Sequence, residues 1–222
     1  VPTSAGWTLQ VLELPEGGKL KALNAGDAIA KGEVLIYLDA DVVVDPSLVP
    51  DIAAALASDV PLYASGRPEV AVANTWLTRA YSRFWQKLPF VTLGTPGFGL
   101  FAMNRVGRQR WDNWPDIISD DTFARLSFSP DERLSVSAHY RWPMVEGLAN
   151  LVRVRRRQNA GVAEIEALFP DLLQNDDKAQ LEMGGLLRMA FRDPAGFGAY
   201  GLVSLLVKTP LFTSKSRWVR GR

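Results

Sequence analysis

The chain has 222 residues, room for one large domain or two small ones, and its 47% apolar and 22% charged residues are those of an ordinary globular protein. A net charge of +1 argues against an electrostatic nucleic-acid binder, and the lack of cysteine removes disulfides, thiolate metal sites and cysteine nucleophiles. A single histidine, His139, leaves no two-histidine metal site, and no apolar run reaches the ~20 residues of a transmembrane helix. The opening Val1-Pro2, with no methionine and no signal peptide, reads as a segment of a longer protein.

Residues 7–14 (WTLQVLEL) alternate apolar and polar side chains and predict a strand, broken at Pro15-Glu16-Gly17-Gly18. A helix follows from Lys19 to about Lys31, with Leu20, Leu23 and Ala28 on its inner side. Gly17, Gly18 and Lys19 just before it suit a phosphate, although the spacing is not that of a Walker loop. Residues 34–38 (VLIYL) form a continuous apolar run, as in a parallel-sheet strand covered on both faces. The run ends in Asp39-Ala40-Asp41. In an extended segment these two carboxylates point the same way, at the strand end where α/β sheets bind ligands. They suit Mg²⁺ or Mn²⁺; the plainer reading is a polar strand end or a helix cap.

Ser47 predicts a cap for a helix to about Ser58, with Ile52, Ala55 and Leu56 on one face. Residues 60–64 and 69–73 read as short strands around Gly66-Arg67-Pro68. Residues 75–88 read as a helix whose stripe of Trp76, Tyr81, Phe84 and Trp85 is either core, the favoured reading, or a groove wall next to a substrate. Glycines alternating with aromatics over 96–103 predict a strand that another group approaches closely. After the loop Trp111-Asp112-Asn113-Trp114-Pro115-Asp116, a helix starts at about Ile117 with Ser119 as its cap. Asp120 and Asp121 at that start either complement the helix dipole or supply a general base.

Residues 133–142 alternate as a strand that includes His139 as a structural residue, and 146–158 predict a helix with Arg153, Arg155, Arg156 and Arg157 in its last turns. Those arginines either favour the helix C-terminus or grip a pyrophosphate. Beyond Gly161 come amphipathic helices over 163–169 and 180–191, then an apolar helix over 197–207. A basic tail with Phe212 and Trp218 closes the chain; it suits a membrane surface or packing against another part of the protein.

Five stretches, in order, resemble the family 2 inverting glycosyltransferases of GT-A fold. They are Gly18 to Gly26, Leu38-Asp39-Ala40-Asp41, Gly97 to Arg105, Ser119-Asp120-Asp121-Thr122, and Arg155-Arg156-Arg157-Gln158 with Gly161. The resemblance implies an α/β fold: a GT-A-type, Rossmann-like mixed sheet flanked by helices over 1–161, with a C-terminal helical extension over 162–222. It implies transfer of a sugar from a nucleotide-diphosphate donor to a saccharide or lipid-linked acceptor, in cell-envelope polysaccharide or glycolipid synthesis. The place implied is the cytoplasmic side of the plasma membrane, with a possible membrane contact and no nucleic-acid partner.

By the same resemblance, Asp39 and Asp41 bind the nucleotide and a Mn²⁺ or Mg²⁺ ion, with Lys19 and Asn24 also on the donor. Asp121 is the base with Asp120 beside it, and Arg156 and Arg157 hold the departing diphosphate. Phe98, Gly99, Trp111 and Trp114 face the acceptor. Two departures stand out. The family's opening strand and its acidic residue are absent, so the chain reads as lacking its first strand-helix unit. The Gln-x-x-Arg-Trp of processive members is absent too, which favours single-sugar transfer. Two rival readings are a haloacid-dehalogenase-like phosphatase using Asp39 and Asp41, with Asp120-Asp121 as a metal pair, and a non-catalytic nucleotide-sugar-binding remnant.

Overall fold

The structure, a computed structural model, describes residues 6–177 and 182–213. Its elements in chain order are α1 Lys19–Ile29, β1 Val34–Leu38, β2 Val43–Val44, α2 Leu48–Ala55, β3 Tyr63–Val70, α3 Trp76–Trp85 and α4 Pro89–Thr92. They continue with β4 Leu100–Asn104, α5 Arg105–Arg108, α6 Asp120–Leu126, β5 Arg133–Trp142, α7 Leu148–Leu168, α8 Met183–Arg192 and α9 Pro194–Val207.

The sheet runs β1-β4-β3-β5-β2 among the described residues. Only β3 and β5 pair in parallel; β1 with β4, β4 with β3 and β2 with β5 are antiparallel. The sheet is thus mixed, flanked by helices and consistent with a GT-A type α/β fold. The expectation for residues 34–38 is right in extent and wrong in setting. β1 is an edge strand with an antiparallel neighbour, and only Leu35 along it is buried. β4 lies inside the sheet between β1 and β3, and all five of its residues are buried.

Other expectations need correction. Residues 7–14 make no ladder beyond a single bridge residue at Thr8. Alternation makes a segment strand-prone, but a strand also needs a neighbour for its N–H and C=O groups. Ala28 is exposed; α1 turns Leu20 and Leu23 inward together with Asn24 and Asp27. The two strand pieces around Gly66-Arg67-Pro68 are one strand, β3, with a register shift between Ser65 and Arg67. Gly66 is required there, since a Cβ would lie 2.5 Å from Leu48 Cδ1 and 2.8 Å from the Ala138 carbonyl. In α3, Tyr81, Phe84 and Trp85 are core, whereas Trp76 is exposed.

The helices predicted over 146–158 and 163–169 are one helix, α7, which runs on through Gly161. Its arginines therefore sit mid-helix and do not answer a C-terminal dipole. Between the helices expected over 180–191 and 197–207, Asp193-Pro194 begins the second one early: the Asp193 side chain accepts from Gly196 N, and Pro194 takes the first turn, where its missing N–H costs nothing. Gln180 and the basic tail from Ser214 onward lie outside the described residues. No described helix is long and apolar enough to cross a membrane.

Candidate active site

A cavity of about 630 Å³ opens along one end of the sheet. The end of β1, the start of α1, the loop before β4, the start of α6 and one face of α7 all reach it. β1 leads Asp39 to the rim, where its backbone N–H donates to the Gly99 carbonyl at 2.9 Å. That bond fixes the strand exit against the Gly-rich loop. Gly99 has φ +78, and a Cβ there would meet Trp142 Cδ1 at 2.7 Å, so the loop can approach only with glycine.

Lys19, the first residue of α1, holds the acidic side together. Its Nζ lies 3.0 Å from Asp39 Oδ1 and 3.0 Å from Asp120 Oδ2. Burial works against its ammonium, but Asp120, Asp39 and Asp121 outweigh burial and keep its pKa above the ordinary lysine value. Asp120 is buried, and burial pushes its carboxyl up to about 6; Lys19 pulls it down, while Asp121 and Asp39 push it further up. Asp121 is less buried, lines the cavity and accepts from Thr122 N at 2.7 Å.

α7 supplies the basic side. Arg155, Gln158, Asn159 and Val162 line the cavity at helical spacing, joined by Arg157. Arg155 donates to the hydroxyls of Tyr81 at 3.2 Å and Tyr200 at 3.0 Å, which fixes its guanidinium from behind. Close packing holds α7 here: a Cβ on Gly161 would lie 2.1 Å from Ser119 Oγ. Ser119, at the cap position of α6, makes no side-chain cap bond. Opposite the charged groups stands an aromatic wall of Trp85, Phe90, Phe98 and Trp142, with ring centroids 5.2–5.6 Å apart.

Of the residues expected in the site, Lys19, Asp39, Phe98, Gly99, Asp120, Asp121 and Arg157 line this one cavity. Five do not. Asn24 spends its side chain on the Trp114 backbone, accepting from Trp114 N at 2.8 Å. Trp114 is buried in the core and donates Nε1–H to Asp27 Oδ2 at 2.8 Å, and Trp111 packs partly buried beside it. The Arg108 guanidinium lies against both rings. Neither tryptophan lines the cavity. Arg156 turns away and donates to the carbonyls of Leu206, Val207, Thr209 and Leu211 at the end of α9. Asp41 is exposed in the turn after Asp39 and does not line the cavity.

Sequence reasoning placed Arg155 among the arginines that grip a pyrophosphate without singling it out, and it missed the Trp142 ring and Arg125 with Asp177 at the far wall. Arg125 pairs with Asp177 at 2.6 Å and Asp176 at 2.9 Å, and buried Arg133 shares Asp177 at 2.7 Å. A continuous helical wheel through Gly161 would have put Arg155 with Asn159 and Val162 and turned Arg156 to another face. Nothing local marks Asp177, which reaches the cavity wall from a position 52 residues beyond Arg125.

Asp120 gives a pH test. A carboxyl with a raised folded-state pKa takes up a proton on folding, so its destabilising share grows as pH rises from 3.8 through about 6. Thermal melts from about pH 4.5 to about pH 8 are expected to show the wild type losing roughly 2 kcal/mol more than Asp120→Asn. Equal losses in the two proteins would contradict the raised pKa.

The Asp39 carboxylate, half-exposed at a strand end, is compatible with a divalent ion of the Mg²⁺ type, which needs only one or two carboxylates besides substrate phosphates. The described residues hold no group of three or more acidic, histidine or cysteine side chains that would cage a metal by themselves. Among comparisons with known proteins, no curated protein and no solved structure matches the chain. The model of Glycosyl transferase family 2 matches residues 4–134, over half of the sequence, and the match includes Lys19, Asp39, Asp120 and Asp121. It sets aside the phosphatase reading of Asp39 and its neighbours. The chain belongs to glycosyltransferase family 2 and carries a glycosyltransferase domain.

Proposed function

We propose that the chain transfers one sugar, with inversion, from a nucleotide-diphosphate sugar to a hydroxyl of a saccharide or lipid-linked acceptor, at the cytoplasmic side of the plasma membrane in envelope polysaccharide or glycolipid synthesis. One observation carries this reading: carboxylates from β1 and α6 and cations from α1 and α7 meet in one cavity beside an aromatic wall. Asp121 takes the acceptor hydroxyl proton as the oxygen attacks the anomeric carbon. The bond from that carbon to the diphosphate oxygen breaks on the opposite face, and negative charge collects on the leaving group. Lys19, Arg155 and Arg157 meet that charge in place, with little reorganisation. Asp39 is the residue that would hold a Mg²⁺ or Mn²⁺ ion with the donor, and the ion supplies further neutralisation of the diphosphate. Phe98 and Gly99 shape the acceptor side, with the Trp85, Phe90 and Trp142 rings as apolar faces for a sugar. We assign residues 1–161 to transfer and 162–222 to a helical extension. Arg155 and Arg157 belong to the first segment, and α7 joins the two.

Donor binding tests this reading. Titration of a nucleotide-sugar panel in the presence of Mn²⁺ is expected to find one donor whose affinity falls about tenfold or more in Asp39→Ala. Asp41→Ala, outside the cavity lining, is expected to change it less than about threefold. Equal losses in the two variants would return the donor site to the paired-carboxylate arrangement. Donor binding with no transfer to any acceptor would support the non-catalytic reading.

A further inference from the structure

The outward face of α8 is apolar. Met183, Leu187 and Phe191 recur every four residues and are 70%, 52% and 86% exposed. The helix is not loose, because Leu186 and Met189 on its other side pack against the core under α3 and α9. Viewed down the axis, the exposed stripe lies between this packed side and an edge formed by Arg188 and Arg192, both exposed. No acidic residue lies on α8. α9, which packs against α8, leaves Leu202 and Leu205 exposed as well. From Met183 to the end of the sequence the only acid is Asp193. It is buried and paired with Arg83 on α3 and Lys87 just beyond that helix, so it does not oppose the basic edge.

A soluble surface helix hides its apolar stripe and shows its polar one. Here a firmly seated helix shows the reverse, with cations along one margin and no acid. We propose that the Met183-Leu187-Phe191 stripe of α8 inserts into the surface of an anionic lipid bilayer, with Arg188 and Arg192 against the headgroup phosphates. The inference rests on the membrane-side part of the proposed function and not on the transfer chemistry, so vesicle binding and donor binding fail separately. A bilayer fits better than a peptide, because the stripe stands on a convex helix face and the charges at its edge share one sign.

The test is co-sedimentation of the full chain with vesicles of equimolar phosphatidylcholine and phosphatidylglycerol, and with phosphatidylcholine alone. The wild type is expected to bind the anionic vesicles. Leu187→Glu/Phe191→Glu is expected to lose at least about tenfold in binding. Arg188→Gln/Arg192→Gln is expected to lose about thirtyfold on anionic vesicles and little on neutral ones. Unchanged melting temperatures establish that these exposed positions leave the fold intact. The chain has no cysteine, so Leu187→Cys with one polarity-sensitive dye gives a second readout, an emission blue shift on anionic vesicles. Binding that ignores both double variants, or no binding and no blue shift, overturns the proposal. A wild-type dimer that Leu187→Glu/Phe191→Glu dissolves, without vesicle binding, overturns it in favour of a second copy of the chain on this face.

Discussion

Asp121→Asn is expected to leave donor affinity within about twofold of wild type and to lower kcat by about a thousandfold, within the range that a positioned general base contributes. The choice of Asp121 over Asp120 rests on what surrounds each. Asp120 is buried and sits 3.0 Å from the Lys19 ammonium, so its negative charge is committed to that pair. Its raised pKa comes from burial. Asp121 lines the same cavity, is less buried and takes a backbone donor from Thr122 on Oδ1. An amide at 121 keeps the shape and removes the proton acceptor. Asp120→Asn strips Lys19 of one of its two partners, so it is expected to disturb Lys19 and, through it, Asp39. The two variants therefore separate in steady-state kinetics: Asp121→Asn acts on kcat with KM for donor held, and Asp120→Asn moves both. If Asp121→Asn retains more than about a tenth of wild-type kcat while Asp120→Asn abolishes it, the base is Asp120 and Asp121 only positions it.

How far these roles were legible in the sequence depended on whether each signal was local. Asp39 and Asp120-Asp121 stand out because a carboxylate at the end of an apolar strand, or at the first turn of a helix, breaks the pattern around it. The pairing of Lys19 with both is a tertiary fact, since 101 residues separate Lys19 from Asp120 and only the placing of α1 against α6 brings them together. Arg156 and Trp114 lie outside the cavity for another reason. Arginine and tryptophan suit ligands and cores alike, and composition cannot say which way they turn. Arg156 caps the end of α9, and Trp114 serves Asp27. The edge position of β1 was hidden as well, because a short apolar run reads the same whether its neighbour is parallel or antiparallel. Reading 146–158 and 163–169 as two helices cost the most, since a break near Gly161 conceals the face that carries Arg155. Gly161 is there for contact with Ser119 and not to end the helix.

Gly97→Ala is expected to destabilise the fold by about 3–4 kcal/mol, and Tyr63→Phe is expected to restore part of that loss. Gly97 has φ +73, where any other residue carries roughly 1 kcal/mol of strain. The larger cost is steric. A Cβ at Gly97 would fall 1.8 Å from the Tyr63 hydroxyl and 3.1 Å from its Cζ. Tyr63 cannot withdraw: it is fully buried on β3, with Phe101 and Phe128 at centroid distances of 6.1 and 5.6 Å. Its hydroxyl finds no hydrogen-bond partner among the described residues. Burial, with the Asp121 charge nearby, holds the hydroxyl far above the ordinary tyrosine pKa, so it stays neutral. Removing an unpartnered buried hydroxyl is expected to cost nothing or to stabilise by about 1 kcal/mol. In the double variant the 1.8 Å contact vanishes while the 3.1 Å contact and the strained φ remain, so recovery stops at about half. Urea melts of the four proteins, read as a double-mutant cycle, measure this directly. A coupling energy near zero would mean that the Gly97 loop yields without touching Tyr63. A coupling of about 1–2 kcal/mol would tie the loop that carries Phe98 and Gly99 to the strand behind the cavity.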